Sequence, residues 1–517
     1  MGKHAMWALV IIIAIAAVFR FLNLAETPPG LWPDEAVNGL NALDALATSN
    51  FKVFYADNFG REGLYINLQA LSVSIFGATP WALRVVSAFA GTATVAALFF
   101  AGRELFRNMY HPHMTALVAA LLAAVSVWHV NFSRIGFRAI LLPLFATVAV
   151  WWMLTALRTR SRLLFAASGF LYGLALSTYI AARFLPILAI FFFVYDVWRV
   201  RKTSGSWQWK ALLIPWGWCA AGFTAAALPL LGYFATHPAD FFGRAGDVSI
   251  FAAEHPLRLL MVSLVKTLGM FHVAGDANFR HNLAGSPQLD VLSGILLLFG
   301  IAAAISILLR LPHATGRKLH VMVLFIWIGL MLLPGILSSE GVPHALRTLG
   351  AIPPIMLLAA MGFGWFAERV TKVLHRHWSA LAAGWVLAAV SVINFYQYFF
   401  VWGPHPKTAD AFRKDLSGIA VVLLRQPESA QKIVVVNKPG VSLDQAFVEL
   451  SPIRFLTHQT PEIRYLSLGQ LETIEPRFDE TVILPYVAHD EELFASLRAL
   501  FPTTERREEN GTEYYAF

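Results

Sequence analysis

Apolar stretches of about 20 residues recur along this chain, each long enough as a helix to cross the roughly 30 Å hydrocarbon core of a bilayer. They run approximately over residues 5–24, 82–102, 114–130, 138–157, 163–181, 183–198, 211–233, 290–310, 319–338, 350–370 and 378–402. In hydrocarbon every backbone N–H and C=O must be satisfied within the structure, so stretches of this kind fold as α-helices. Composition agrees: 57% of residues are hydrophobic and 14% charged, against about 25% charged in an ordinary soluble domain. The reading is an all-α polytopic membrane protein with about 11 transmembrane helices. The first stretch follows Lys3 and His4 and lacks a small-residue cleavage site, so it is read as a retained helix and not a signal peptide. Cys219 is the lone cysteine and lies inside an apolar stretch, which rules out an internal disulfide.

Basic residues collect in one set of short loops. These hold Arg103 and Arg107, Arg158 to Arg162, Arg199 to Lys202 with Lys210, Arg310 with Arg317 and Lys318, and Lys372 with Arg376. The positive-inside rule makes these loops cytoplasmic. An N-terminus inside and an odd number of spans then leave the C-terminus outside, in a plasma (inner) membrane protein. The net charge of +8 is thereby topological, and its scatter over short loops gives no footprint for nucleic acid. Three long segments face the extracytoplasmic side. In the first, about 25–81, Ala36, Leu40, Leu43 and Ala47 recur at helical spacing and predict an amphipathic helix lying on the membrane surface. Residues 63–77 predict a second, juxtamembrane helix. The second segment is about 234–289. The third is the tail, where Lys432–Val436, Ile453–Thr457, Ile463–Leu468 and Thr481–Tyr486 read as strands and 408–424 and 488–500 as helices. This divides the chain into a transmembrane domain, 1–402, and a small C-terminal extracytoplasmic α/β domain, 403–517.

The unusual polar chemistry falls on the extracytoplasmic loops. Asp34-Glu35 sits just past the first span. A carboxylate there can act as general base toward a hydroxyl or as a metal ligand, or it can cap the helix that Pro33 opens. Arg61, within Asn58-Phe59-Gly60-Arg61-Glu62-Gly63, is a cation suited to bidentate phosphate binding, or a snorkelling arginine. Arg134 and Arg138, in the hairpin Trp128–Arg138, and Tyr179 with Arg183 in the next turn run against the positive-inside trend and call for partners, headgroups or a bound anion. Gly275-Asp276-Ala277-Asn278-Phe279-Arg280-His281-Asn282 gathers an acid, amides, a guanidinium and an imidazole beside hydrocarbon. That is costly unless the stretch lines an aqueous cavity. His344-Ala345-Leu346-Arg347 is a comparable cluster. No Walker loop, dinucleotide fingerprint, nucleophile elbow or cysteine–histidine metal spacing is present.

An N-terminal span, an acid pair in a long first outer loop, many further spans and an extracytoplasmic tail together resemble the GT-C glycosyltransferases. Within them the chain is most similar to the branch of the protein O-mannosyltransferases and the lipid A aminoarabinose transferase. Asp34-Glu35 matches that branch's first-loop acid motif. Arg61 falls where the aminoarabinose transferase carries a basic residue on the donor phosphate, although Arg-Glu-Gly here replaces a Lys-Pro pattern. Phe132–Phe137, Gly275–Asn282 and Pro343–Arg347 resemble prokaryotic members. The resemblance covers roughly 1–402 and implies an inverting, GT-C-like glycosyltransferase. Its donor would be a polyprenyl-phosphate sugar in the membrane lipid, and its acceptor a hydroxyl of a lipid, glycan or protein. Asp34 would be the base, with Glu35 beside it. Arg61, Arg280, His281 and Arg347 would hold the donor phosphate, and Asp276, Asn278, His344, Tyr179 and Arg134 would contact substrate. The reading leaves metal dependence open; the ion considered is a divalent metal on Asp34 and Glu35. The alternative class is a transporter or flippase for a lipid-linked sugar, in which intramembrane charges would extend toward the cytoplasmic half.

Overall fold

The structure, a computed structural model, describes every residue except 1, 110, 205–208, 311–315, 374, 439–440, 442, 461 and 476–480. In chain order the helices of the first four-fifths are α1 (Lys3–Phe21), α2 (Pro33–Thr48), α3 (Gly63–Phe76), α4 (Pro80–Leu105), α5 (Pro112–Val125), α6 (Val127–Phe132), α7 (Leu141–Thr159) and α8 (Arg162–Ala175). There follow α9 (Leu185–Ser204), α10 (Trp209–Thr236), α11 (Pro238–Asp247), α12 (Pro256–Gly269), α13 (Val291–Arg310), α14 (Gly316–Ile336), α15 (Ile352–Val373) and α16 (Arg376–Tyr396). Among the described residues 9 helical segments are long and apolar enough to cross a membrane. The protein is a multi-pass integral membrane protein.

Two of the expected spans end early. Helices α5 and α8 have 14 residues each, about 21 Å at 1.5 Å per residue, short of the bilayer core. The stretch through α5 continues only after a break at Ser126, whose ψ of 120° leaves the helical region. The side chain of Asn394 repairs that break: its Oδ1 accepts the Val127 N–H at 3.1 Å, while its Nδ2 donates to Asp290 Oδ2 at 2.9 Å. Helix α3 is also 14 residues long and is not a span by itself. The segment 234–289, expected as a loop, contains α11 and α12.

The chain separates into two compact units. The first comprises Met1–Leu24, Phe51–Leu68 and Arg84–Gly403. Its loop portion holds a short hairpin in which β1 (Phe54–Tyr55) pairs antiparallel with β2 (Arg61–Glu62). Asn58, Phe59 and Gly60 all take positive φ in the turn. A Cβ on Gly63 would collide with the Lys52 carbonyl, so the glycine serves a close backbone crossing. The hairpin is tied to the helices by a buried ion pair, Arg138 Nε to Glu62 Oε2 at 2.8 Å. Arg138 lies over the Tyr179 ring, 5.5 Å from its centroid.

The second unit comprises Ala25–Asn50, Gln69–Leu83 and Pro404–Phe517. In its tail are α17 (Pro406–Ala411), α18 (Lys414–Arg425), β3 (Gln431–Val436), α19 (Leu443–Ala446), α20 (Ser451–Leu456), β4 (Ile463–Ser467), β5 (Thr481–Pro485), α21 (Glu491–Leu500), β6 (Glu505–Glu509) and β7 (Thr512–Ala516). The sheet order is β4-β3-β5-β7-β6. β3 runs parallel to both β4 and β5, and β7 runs antiparallel to β5 and β6. The expected strand at 453–457 is instead helix α20. Ile453, Phe455 and Thr457 are buried alternately, which imitates a strand's period, but Pro452 suits a helix's first turn. Thr457 Oγ1 also bonds back to the Ile453 carbonyl at 2.8 Å. The β6–β7 hairpin was not anticipated, although Asn510-Gly511, both at positive φ, is a strong two-residue hairpin signal.

The amphipathic helix α2 is real, but its apolar face meets protein and not lipid. Ala36 packs in a cluster with Leu31, Val73, Ala82, Leu83 and Phe455, and Leu40 and Leu43 pack against it. Gly39 is the close-approach point, because a Cβ there would lie 2.5 Å from Phe455 Cε2. Gly39→Ala gains up to about 1 kcal/mol of helix propensity but loses about 1–3 kcal/mol to overpacking. Thermal unfolding is expected to show net destabilisation, largely relieved in the Gly39→Ala/Phe455→Leu double variant. The Glu62–Arg138 pair is testable in the same way. Arg138→Met strands a buried carboxylate and is expected to cost about 3–5 kcal/mol, and Glu62→Gln/Arg138→Met is expected to unfold later than Arg138→Met alone.

Candidate functional site

Loop 273–290, between α12 and α13, closes on itself. Gly275 N–H donates to the Gly285 carbonyl at 3.1 Å, and Gly285 N–H to the Asp276 carbonyl at 2.8 Å. Gly285 sits at φ +78°, and a Cβ on Gly275 would strike the Ser286 carbonyl. Asn282 Nδ2 bonds the Ser286 and Pro287 carbonyls. This scaffold presents Asp276 to the loop between α14 and α15. Asp276 Oδ2 accepts from His281 Nδ1 at 2.7 Å and from the Ala345 backbone N–H at 2.8 Å, with His344 Nδ1 at 3.9 Å. Asp276 Oδ1 accepts from the Asn278 N–H at 2.9 Å. The His281 and His344 rings lie 5.0 Å apart. Asp276, Asn278 and His344, with Phe279, Gly341 and Pro343, line a half-open cavity of about 450 Å³.

Helix α6 and the end of the last span hold this assembly from behind. Trp128 Nε1 donates to the Ala345 carbonyl at 3.1 Å, Trp402 Nε1 to the Phe279 carbonyl at 2.7 Å, and Asn131 Nδ2 to the Arg280 carbonyl at 2.6 Å. Phe132 packs beside His281, with ring centroids 5.3 Å apart. None of these supports was assigned a role from sequence. Only the indole N–H, which needs a partner when buried, hinted at one for Trp128 and Trp402.

The electrostatics are set by burial and by neighbouring cations. Burial works to raise the Asp276 pKa, but the hydrogen bond from His281 and the nearby imidazoles outweigh it and hold the carboxyl below its ordinary value. His344 is held well below the usual imidazole range, first by burial and then by the charges of His281 and Arg347, with Arg280 adding to them. At neutral pH Asp276 is therefore ionised and His344 neutral. Arg280 Nε bonds Asn278 Oδ1 at 3.2 Å, and Arg347 bonds Ser338 Oγ and, at 2.8 Å, the Glu340 carbonyl.

The remaining sequence candidates lie elsewhere or take other partners. Arg134 donates to the carbonyls of Phe19, Leu22 and Asn23 at 2.9, 2.6 and 3.1 Å, the acceptors that the C-terminal end of α1 leaves open. Tyr179 lies beneath Arg138, as described above. Arg61 is buried and pairs with Asp57 at 2.9 Å. In the second unit, Asp34 and Glu35 open α2. Glu35 is fully buried, and its Oε2 accepts the Trp32 backbone N–H at 3.2 Å. The capping role weighed for the acid pair thus falls to Glu35, while Asp34 is half-buried. A donor set for the divalent metal considered at Asp34 and Glu35 also stands elsewhere. Among the described residues, the one group of three ligating side chains is Asp276, His281 and His344, whose ligand atoms lie within 4.8 Å of one another. A carboxylate with two imidazoles suits a divalent transition ion or zinc.

Residues 64–216 match the family described as dolichyl-phosphate-mannose-protein mannosyltransferase. A search of curated proteins returned no match. Among solved structures, ArnT from Cupriavidus metallidurans bound to undecaprenyl phosphate is similar at a TM-score of 0.56 and 14% identity, over 98% of this chain and 97% of that one. The same protein in its apo state gives a TM-score of 0.56 and 13% identity, over 99% and 98%. The chain thus carries a match to that family over residues 64–216 and an ArnT-like fold over nearly its whole length.

Proposed function

We propose that this protein is an inverting glycosyltransferase that moves a sugar from a polyprenyl-phosphate donor to an acceptor hydroxyl at the extracytoplasmic face of the plasma membrane. The observation that carries the reading is the polar cavity at Asp276, Asn278 and His344. Arg280 and Arg347 stand near enough for their charges to act on His344. Such a site suits a phosphate monoanion or diester and would be costly to maintain without a ligand. A similar fold has been solved with undecaprenyl phosphate bound, which supports a lipid phosphate as the donor's carrier.

In the proposed reaction the donor phosphate is held by Arg280, Arg347 and the His281–His344 pair, and Arg61 is a further phosphate contact. Asp276 fixes the His281 ring through Nδ1, leaving Nε2 to face ligand, phosphate or a divalent ion. Asn278, which lines that cavity, contacts the sugar. Asp34 takes the proton of the acceptor hydroxyl as its oxygen bonds to the anomeric carbon, and the bond from that carbon to the phosphate oxygen breaks. Polyprenyl phosphate leaves with the electron pair, and the single displacement inverts the anomeric centre. Glu35 positions Asp34 by capping the helix that carries both. Arg134 acts on the fold and not on substrate.

A well-placed general base contributes typically 10²–10⁴-fold in rate. Asp34→Asn is expected to lower transfer from an undecaprenyl-phosphate sugar by about that factor with an unchanged melting temperature. Full activity in this variant contradicts the assignment of Asp34. Movement of the lipid-linked sugar across the bilayer by the wild-type protein, with no bond cleaved, contradicts the transferase reading as a whole.

A further inference from the structure

The second unit has a cavity of its own, of about 430 Å³, made of residues the reaction above does not use. Its position follows from the sheet topology. With the order β4-β3-β5 and all three strands parallel, the chain leaves β3 toward one side to form β4, then crosses to the other side to form β5. The connections therefore part between β3 and β5. In open α/β sheets ligands bind at such a point, outside the carboxyl ends of the strands. The cavity lies there, lined by Lys438 just beyond β3, by Tyr486, Val487 and Ala488 just beyond β5, and by Asp410 and Thr512.

The charges of the lining decide the class of ligand. Arg413, also in the lining, is already matched: its guanidinium meets Asp415 at 2.8 Å and Glu449 at 3.4 Å, bonds Tyr486 Oη at 2.8 Å and lies over the Tyr486 ring. The lining carboxylate of Glu513 is taken by Arg506 at 3.0 Å. Asp410 and Lys438 then contribute one carboxylate and one ammonium, with the Thr512 hydroxyl. Among the described lining residues, neither a net cation for phosphate nor a set of carboxylates for a metal remains. Beside these groups stand the apolar Ile419, Pro485 and Val487. Paired donors and acceptors beside apolar carbon are what a sugar ring needs, with its hydroxyl rim and its C–H face. The turn carrying Arg413 is also pressed against the chain entering α2, since a Cβ on Gly30 would lie 2.7 Å from the Phe412 carbonyl and 2.8 Å from Lys414 Cα.

We infer that this cavity is a saccharide-binding site of the C-terminal unit. On the transferase reading its occupant is a neutral stretch of the acceptor glycan; saccharide binding itself does not rest on that reading. The test uses the full chain in lipid nanodiscs, free of sugar-headed detergent. Saturation-transfer NMR is run with methyl glycosides and disaccharides of glucose, mannose, galactose and N-acetylglucosamine, and with inorganic phosphate as competitor. At least one saccharide is expected to bind saturably and to lose about tenfold or more in affinity in Lys438→Ala and in Ala488→Trp. Both are exposed positions whose variants keep the wild-type melting temperature. Phosphate is expected not to compete. Binding is expected to persist in Asp34→Asn, which separates failure of this site from failure of the transfer reaction. No binding by any sugar, binding unchanged in both cavity variants, or displacement by phosphate overturns the inference.

Discussion

The carboxylate of Asp276 organises the polar end of the helical unit. It accepts from an imidazole five residues along its own loop and from a backbone N–H 69 residues away, at Ala345. These bonds join the loop after α12 to the loop after α14. They bring His281 and His344 within ring-contact distance, where burial first, and then the charges of His281 and Arg347, keep the second imidazole neutral. A buried carboxylate needs this much hydrogen bonding to stay ionised, and two loops need a shared acceptor to stay in register. One group meets both needs. The Trp128, Trp402 and Asn131 bonds hold the backbone on which it acts.

The acid pair at 34–35 illustrates how adjacent like residues take different work. Glu35 turns inward and accepts the Trp32 N–H, fixing where α2 begins. The less buried Asp34 follows from that start, because successive helical residues point about 100° apart. Helix α2 is held in turn by Phe455 against Gly39, so the C-terminal unit supports the helix that carries the proposed base. Thus the tail's contribution to chemistry need not involve any residue of its own at the reacting atoms.

The helices were legible because hydrocarbon enforces length and apolarity at once, and the loop 275–282 stood out because polar residues beside hydrocarbon need a reason. What stayed hidden depended on partners far away in the chain. Arg134 reads as an anion site until the open carbonyls of α1 come beside it. Glu62 lies in the Asn58–Gly63 motif, yet its pairing with Arg138 across 76 residues has no local signature. The break at Ser126 is invisible without Asn394, 267 residues from Val127. The α20 error has a different origin: six residues are too few for a period of 3.6 to be told from one of 2. The Asn510-Gly511 hairpin was written in the sequence and could have been read.

The central claim is that the loops joined by Asp276 receive a lipid phosphate. A polyprenyl phosphate bearing a diazirine next to its phosphate, photolysed with the full-length protein in nanodiscs and mapped by mass spectrometry, tests it most directly. The account predicts crosslinks within residues 276–281 and 341–347, competed away by unlabelled undecaprenyl phosphate. Competed crosslinks confined to the basic loops at 158–162 and 199–203 would contradict it.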